Sequence, residues 1–259
     1  MPELPDLEVF SRNLNSKLKG KQVKEVIVRN SKKLQVPAEE LQKAIEGQKI
    51  EKIFRNGKEL YFEFANKTVL SMHLMLNGEL YLSRDQEIPK YAIIQLLLKG
   101  GMGLTLTDFR GLAQVSLNPE TDHTPDALSR EVDVQFLEKL LAGKKAAIKN
   151  ILLDQHVIRG IGNAYADEIL WEAGISPFAA ANKIPVAKMK SLLKAIRHVL
   201  ENAVKQISNS SPGIITGEMR DFLRIHHPGK THSPSGVPIL IKKTGGRKTY
   251  YTDEQETYQ

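Results

Sequence analysis

Apolar residues recur at Leu7, Phe10, Leu14 and Leu18, a helical stripe that predicts a helix over residues 7–18 packing the amino terminus against the body of the chain. The period then changes. Runs rich in β-branched and aliphatic residues at 23–28, 50–55, 60–64, 68–74, 79–82, 92–98 and 103–108 are split by Asn-Gly and glycine-rich turns. Many short strands at close spacing predict a sandwich or barrel. Helical spacing returns at 134–141, 146–153, 164–173 and 187–207, interrupted by Gly143, Gly160-Ile161-Gly162 and Gly174-Ile175-Ser176-Pro177. From His226 the chain is rich in proline and glycine, and it closes on two strand-like runs, 238–242 and 248–252, joined by a Thr244-Gly245-Gly246 turn.

This pattern predicts a two-domain α+β protein. A β-sandwich with one amino-terminal helix spans 1–117, and a polar stretch broken by Pro119 and Pro125 serves as a linker over 118–132. A helical domain follows over 133–225, then a β-hairpin segment over 226–259. No long internal repeat is present.

Composition narrows the classes. A chain of 259 residues with 41% hydrophobic positions is long enough for two ordinary cores. It has neither an apolar run of membrane-spanning length nor a basic-then-apolar amino terminus, so a soluble, cytoplasmic protein is expected. With no cysteine, disulfides, thiol chemistry and cysteine metal sites are excluded. The net charge of +7 and pI near 9.3 point to a polyanionic partner.

The first residues, Met1-Pro2-Glu3-Leu4-Pro5-Asp6, carry the candidate chemistry. Removal of Met1 exposes a proline secondary amine, which ionises near the α-amino range of about 7.7–8.0 and keeps an unprotonated fraction near neutral pH. Such an amine attacks a sugar C1′ or a carbonyl to give an iminium, and Glu3 beside it is placed to move protons. An amide-bonded Pro2 has no nucleophilic nitrogen, so this reading requires Met1 to be removed; the small second residue suits that processing. An ordinary frayed terminus is the competing reading.

Four segments in order extend the picture: Pro2-Glu3-Leu4-Pro5-Asp6-Leu7-Glu8, Asn56-Gly57-Lys58, His73-Leu74-Met75-Leu76-Asn77-Gly78, and Gly160-Ile161-Gly162-Asn163-Ala164-Tyr165-Ala166-Asp167-Glu168. Together they resemble the formamidopyrimidine-DNA glycosylase and endonuclease VIII family across nearly the whole chain. The resemblance implies a bifunctional base-excision DNA glycosylase and abasic-site lyase with no cofactor. It implies a bacterial-type, monomeric, nucleoid-associated enzyme whose helical domain is a helix-two-turn-helix and whose partner is double-stranded DNA with damaged bases or abasic sites.

Residue roles follow from the same resemblance. Pro2 would attack C1′ of a nucleotide held outside the stack, with Glu3 as acid and base. Lys58 and Arg247 would grip phosphates flanking the lesion, aided by His73, Asn163 and Lys248. Asn163 precedes an apolar helix and is also suited to cap it. Leu76, Arg110 and Leu112 would fill the void left by the extruded base. Leu112 fits a wedge and a core position equally, since Asp108-Phe109-Arg110-Gly111-Leu112 departs from the family's arginine-rich loop. His73 suits a buried structural role as well as a phosphate contact.

Two departures matter. His232, Ser235, Thr252 and Gln255 stand where the family's zinc cysteines would, a poor zinc set, so the resemblance implies a zincless finger held by Val237, Ile239, Ile241 and Tyr250. Asp6 replaces the glutamate usual in its motif. Residues 208–217 correspond to a base-covering loop of oxidised-purine enzymes but differ in sequence. Oxidised purines such as 8-oxoguanine and formamidopyrimidines are favoured, with oxidised pyrimidines as the alternative. A catalytically silent binder of damaged DNA, or an unrelated amine-nucleophile enzyme acting on a small carbonyl compound, are the competing classes.

Overall fold

The computed structural model describes residues 1–84 and 87–259. Helix α1 (Leu4–Leu18) begins at Leu4 rather than Leu7, for a reason visible in its first turn. Glu3 and Asp6 form a reciprocal capping box in which the Glu3 backbone N–H donates to Asp6 Oδ2 at 2.8 Å. Pro5 sits in the first turn, where a missing N–H costs nothing. Leu4, Leu7, Phe10, Leu14 and Leu18 are all buried.

The strands are β1 (Val23–Val28), β2 (Ile50–Asn56), β3 (Glu59–Phe64), β4 (Val69–His73), β5 (Glu79–Ser83), β6 (Ala92–Leu98), β7 (Gly103–Thr107) and β8 (Gln114–Leu117). They form two four-stranded antiparallel sheets, ordered β1-β6-β7-β5 and β2-β3-β4-β8. Strand β3 shows why they pack: Leu60, Phe62 and Phe64 alternate inward while Glu59, Tyr61 and Glu63 stay partly exposed. Residues of both sheets share one core with α1, including Phe10, Phe62, Met72, Leu80, Leu96 and Leu106. Two elements lay outside the sequence pattern. Helix α2 (Ala38–Ile45) follows Pro37 with only Leu41 and Ile45 buried, and β8 buries one residue, Val115, on pairing with β4.

Helix α1 is braced onto the β2–β3 hairpin. Glu8 pairs with buried Arg55 at 2.8 Å, and Asn15 Oδ1 accepts the Ile53 N–H at 2.8 Å. Its opposite flank holds a distant segment, with Asn13 Nδ2 donating to Ile214 O at 2.7 Å and Lys17 Nζ to Gly213 O at 3.1 Å.

Two compact units result, one of Met1–Asp122 with Ile207–Glu218, the other of His123–Gln206 with Met219–Gln259. Residues 207–218 thus depart from the helical domain expected over 133–225, because α1 and buried Ile215 hold them. The stretch 118–132 is not all linker either. Ala127 and Val132 are buried, and Ala127 N–H donates to Arg159 O at 2.9 Å.

The second unit contains α3 (Val134–Leu141), α4 (Ile148–Leu153), α5 (Asn163–Glu172) and most of α6 (Val186–Ser210), with the hairpin β9 (Leu240–Thr244) and β10 (Arg247–Tyr251). Helix α4 starts at Ile148 rather than at residue 146 because Ala147 bridges to Ala180. Thr244 pairs with Arg247 across Gly245-Gly246, both at positive φ, as a two-residue primed turn requires.

A buried ionic knot fixes this hairpin. Lys149 of α4 pairs with Asp167 of α5 at 2.7 Å and donates to Thr249 Oγ1 at 2.9 Å. Asp167 Oδ2 also receives the Tyr250 N–H at 2.9 Å and meets His226 Nδ1 at 2.7 Å, with the His226 ring 4.5 Å from that of Tyr250. Neighbouring Glu168 accepts the N–H groups of Arg224, Ile225 and His226, each at 2.8 Å.

The apolar set expected to hold the finger does only part of that work. Tyr250 is buried, but Ile241 is 55% exposed and Val237 and Ile239 are half-buried. A polar hub takes over. Glu254 accepts hydrogen bonds from Ser235 at 2.5 Å, Thr252 at 3.0 Å, Ser233 at 3.2 Å and the Trp171 indole at 3.5 Å. Gln255 joins Thr252 N–H, at 2.9 Å, to Ile175 O, at 2.8 Å. Among the described residues no cluster of His, Cys, Asp or Glu could hold a metal ion. No helix among them is long and apolar enough to cross a membrane.

Asp167→Ala leaves the Lys149 charge buried without its partner, so unfolding of this unit becomes easier by about 3–5 kcal/mol, measured by denaturant titration. Asp167→Ala with Lys149→Met recovers much of that loss. The Ser235 hydroxyl, followed by those of Thr252 and Ser233 and the Trp171 indole, holds the Glu254 carboxyl below its ordinary range. A depressed carboxyl stabilises the fold above its unfolded value and loses that contribution as pH falls through the folded one. Acid titration of the fluorescence of Trp171, the sole tryptophan, therefore shows a step below the ordinary carboxylate range that Glu254→Gln abolishes.

Candidate active site

The capping box that starts α1 also fixes the residues before it. Pro2 and Glu3 are buried, with Glu3 as the helix N-cap. The Met1 ammonium is paired with Glu218. The Asp6 carboxylate accepts the Glu3 N–H and so helps to order the terminus.

Lys58 occupies the second position of the two-residue β2–β3 turn, since Asn56 pairs with Glu59. Gly57 takes φ of 59°, the positive value the first position of such a turn needs. Lys58 is only 8% exposed, unlike a solvated turn lysine. It shares the α1-braced hairpin with Arg55.

His73 ends β4, paired with Glu59 on β3 and Gln114 on β8. Its Nδ1 lies 3.0 Å from the Met75 N–H and accepts it, so Nε2 is the protonated nitrogen of the neutral ring. The following turn is closed by the Gly78 N–H to Leu74 O at 2.7 Å, and a Cβ at Gly78 would lie 2.3 Å from that oxygen. Only glycine fits there. The turn lifts Leu76 to 50% exposure, which removes a core role for it.

The Asp108–Leu112 loop is built around one carboxylate. Buried Asp108 accepts the N–H groups of Arg110 at 2.8 Å, Leu112 at 2.7 Å and Ala113 at 2.8 Å. Arg110 and Leu112 project from it, Leu112 at 37% exposure rather than in the sandwich core. Phe109, at 60%, is more exposed than either leucine.

In the second unit, Asn163 is the first residue of α5, and Gly162 is the N-cap, so the capping role expected for Asn163 does not hold. Its side chain instead donates to Lys248 O at 3.0 Å, joining α5 to β10. Gln155 holds the glycine turn before it, accepting the Gly160 N–H at 3.0 Å and donating to Ile161 O at 2.9 Å. Arg247 and Lys248 are exposed on β10, beside the buried knot.

The expected residues therefore fall into two groups. Pro2, Glu3, Lys58, His73, Leu76, Arg110 and Leu112 lie in the first unit; Asn163, Arg247 and Lys248 lie together in the second. Sequence reasoning missed Lys149, Asp167 and His226, which position the second group. A signal existed for Lys149, a lysine set among the buried Ile148, Ile151 and Leu152.

A formamidopyrimidine-DNA glycosylase N-terminal domain model matches residues 1–115, and a formamidopyrimidine-DNA glycosylase H2TH domain model matches residues 124–212. The chain is 30% identical to a formamidopyrimidine-DNA glycosylase of Magnetococcus marinus, covering 97% of this chain and 98% of that one. It is 35% identical to one of Shewanella halifaxensis, covering 97% of each. The solved complex of Lactococcus lactis formamidopyrimidine-DNA glycosylase with DNA containing an abasic site matches with a TM-score of 0.87 at 26% identity, over 99% of this chain and 100% of that one. The same Lactococcus lactis protein, solved with DNA containing an oxidised pyrimidine, matches with a TM-score of 0.86 at 27% identity, over 97% of this chain and 98% of that one. Sequence, domain order and fold agree along the whole length, and the chain belongs to the formamidopyrimidine-DNA glycosylase family.

Proposed function

We propose that this DNA glycosylase of base-excision repair, once Met1 is removed, excises an oxidised base through Pro2 and then cuts the strand as an abasic-site lyase. The observation that carries the reading is the ordered terminus, with Pro2 and Glu3 buried at the start of α1 by the Glu3–Asp6 capping box. An amine nucleophile needs that placement, because reacting atoms must be held near attack distance for the proximity gain.

The Pro2 nitrogen attacks C1′ of the extruded nucleotide, and the bond from C1′ to the base breaks as a proton reaches the leaving base. Glu3 supplies a proton to O4′ as the sugar ring opens, leaving an iminium between C1′ and Pro2. Loss of a C2′ proton expels the 3′ phosphate, and a second elimination expels the 5′ phosphate. Lys58, His73, Asn163, Arg247 and Lys248 bind phosphates, the Arg247 fork being suited to bidentate contact. Leu76, Arg110 and Leu112 fill the gap in the duplex, which their exposure on rigid turns supports.

Oxidised purines are the favoured substrates, in line with the family to which the chain belongs. Oxidised pyrimidines are the second reading, favoured by the Lactococcus lactis relative solved with such DNA.

Borohydride reduction during reaction with an abasic-site duplex or an 8-oxoguanine duplex yields a covalent protein–DNA adduct. Pro2→Gly and a form retaining Met1 give none, whereas a silent binder gives none in any form. Glu3→Gln slows base release by about 10²–10⁴-fold, the usual contribution of a positioned acid or base. Lys58→Ala weakens binding and lowers the salt slope by about one unit, read from affinities across salt concentrations.

A further inference from the structure

A second carboxylate reaches the amino terminus besides that of Glu3. Glu218, 217 positions away in sequence, pairs with the Met1 ammonium. Its segment is anchored in the core of the first unit, where Ile215 is buried and Ile214 packs beside it, while α1 binds the carbonyls of Gly213 and Ile214. Gly217 then takes φ of 86°, a left-handed turn that suits glycine and hands the chain on to Glu218. An ammonium pairs with a carboxylate, which is the form a base must take. The two acids differ in setting, since Glu3 is buried and accepts an N–H in the capping box, whereas the Glu218 side chain is 35% exposed.

Met1 occupies the place that the sugar takes once this residue has been removed. Before processing, the Pro2 nitrogen is bonded to the Met1 carbonyl carbon through a planar link of about 1.33 Å with partial double-bond character. In the iminium the same nitrogen joins C1′ through a planar double bond. The Met1 carbonyl carbon therefore stands in for C1′, and the one carbon attached to it, Met1 Cα, stands in for C2′. The ammonium hangs on Cα as a hydrogen hangs on C2′, the same number of bonds from the Pro2 nitrogen. A carboxylate that receives that ammonium is aimed at the C2′ hydrogen, the placement from which proton transfer gains most.

We propose that Glu218 is the general base of the elimination and takes the C2′ proton from the Pro2 iminium. The carboxylate oxygen binds the proton, the C2′–H electron pair becomes the C1′–C2′ double bond, and the iminium pair moves onto nitrogen to give an enamine. That pair then returns to restore the iminium. A C2′–C3′ double bond forms as the C3′–O bond breaks, and its electrons leave with the 3′ phosphate. Glu218 is open enough to pass the proton on to water. The inference rests on the Pro2 reading and deepens it, dividing the proton transfers between two carboxylates, Glu3 for O4′ and Glu218 for C2′.

The test uses the full-length protein with Met1 removed and an abasic-site duplex carrying hydrogen or deuterium at C2′. Borohydride trapping counts the iminium, and single-turnover strand scission without borohydride reports the elimination. Glu218→Gln keeps the shape of the side chain and removes its basicity. This variant traps at least as much adduct as the wild type, because the iminium accumulates, while scission slows by about a hundredfold or more. Deuterium at C2′ slows scission by the variant more than by the wild type, a signature that a merely structural role does not move. With a wild type that traps, scission by Glu218→Gln at the wild-type rate, or a parallel fall of trapping and scission with no change in the isotope effect, overturns the assignment and leaves Pro2 as nucleophile. A wild type that forms no adduct sinks the Pro2 chemistry, and this step with it.

Discussion

A nucleophile at the very end of a chain works only if that end is held still, and chain ends ordinarily fray. Ordering costs roughly 1–2 kcal/mol per residue in backbone freedom alone. Here the cost is offset within one turn of helix. Leu4 and Leu7 are buried, Asp6 accepts the Glu3 N–H, and further along α1 the Glu8–Arg55 pair and the Asn15–Ile53 bond fix the helix to β2. The hairpin that receives α1 also carries Lys58. Thus one set of packing contacts orders Pro2, the Glu3 carboxylate beside it and the buried Lys58 on connected elements.

The same device recurs wherever the chain must hold an irregular segment without cysteine or metal. A single carboxylate gathers several donors: Asp108 takes three backbone N–H groups of its loop, Glu168 takes three of residues 224–226, and Glu254 takes three hydroxyls and an indole. A structural zinc contributes roughly 10–16 kcal/mol to folding in a small finger. Exposed hydrogen bonds to one carboxylate are far weaker, so the hairpin cannot stand on Glu254 alone. It leans on α4 and α5 of its own unit through Lys149–Thr249, Asp167–Tyr250 and Asn163–Lys248.

Most of the fold was legible because its signals are local. Alternation in β3, the continuous apolar run of β6, the apolar stripe of α1 and the Gly245-Gly246 turn depend on neighbours in sequence, and their elements lie within a few residues of the expected spans. What escaped was set by distant partners. β8 exists because β4 offers it an edge, and 207–218 joins the first unit because α1 binds its carbonyls. Asn163 could be read as a cap because it precedes the helix; only the Lys248 carbonyl, many residues away, diverts its side chain. The finger's stabilisation was misassigned for a related reason. Apolar residues in a strand suggest packing, but Ile241, although paired directly with buried Tyr250, stays 55% exposed because nothing among the described residues covers its end of the hairpin.

Exposed apolar side chains on rigid turns complete the argument. Leu76 is lifted by a turn into which only Gly78 fits, and Phe109 and Leu112 stand on a loop locked by Asp108. Such groups gain nothing from water, and a flexible loop would let them collapse onto the surface. Holding them out means that their ordering is complete before any partner arrives, so binding need not supply it again. A wedge between bases must meet a stack that resists opening, at a cost of a few kcal/mol per step. In the wedge role proposed for Leu76 and Leu112, preorganisation would let burial of the apolar surface act against that cost directly. It also explains why the loops are built with glycine and buried aspartate at their bases, while leucine, arginine and phenylalanine are kept for their tips.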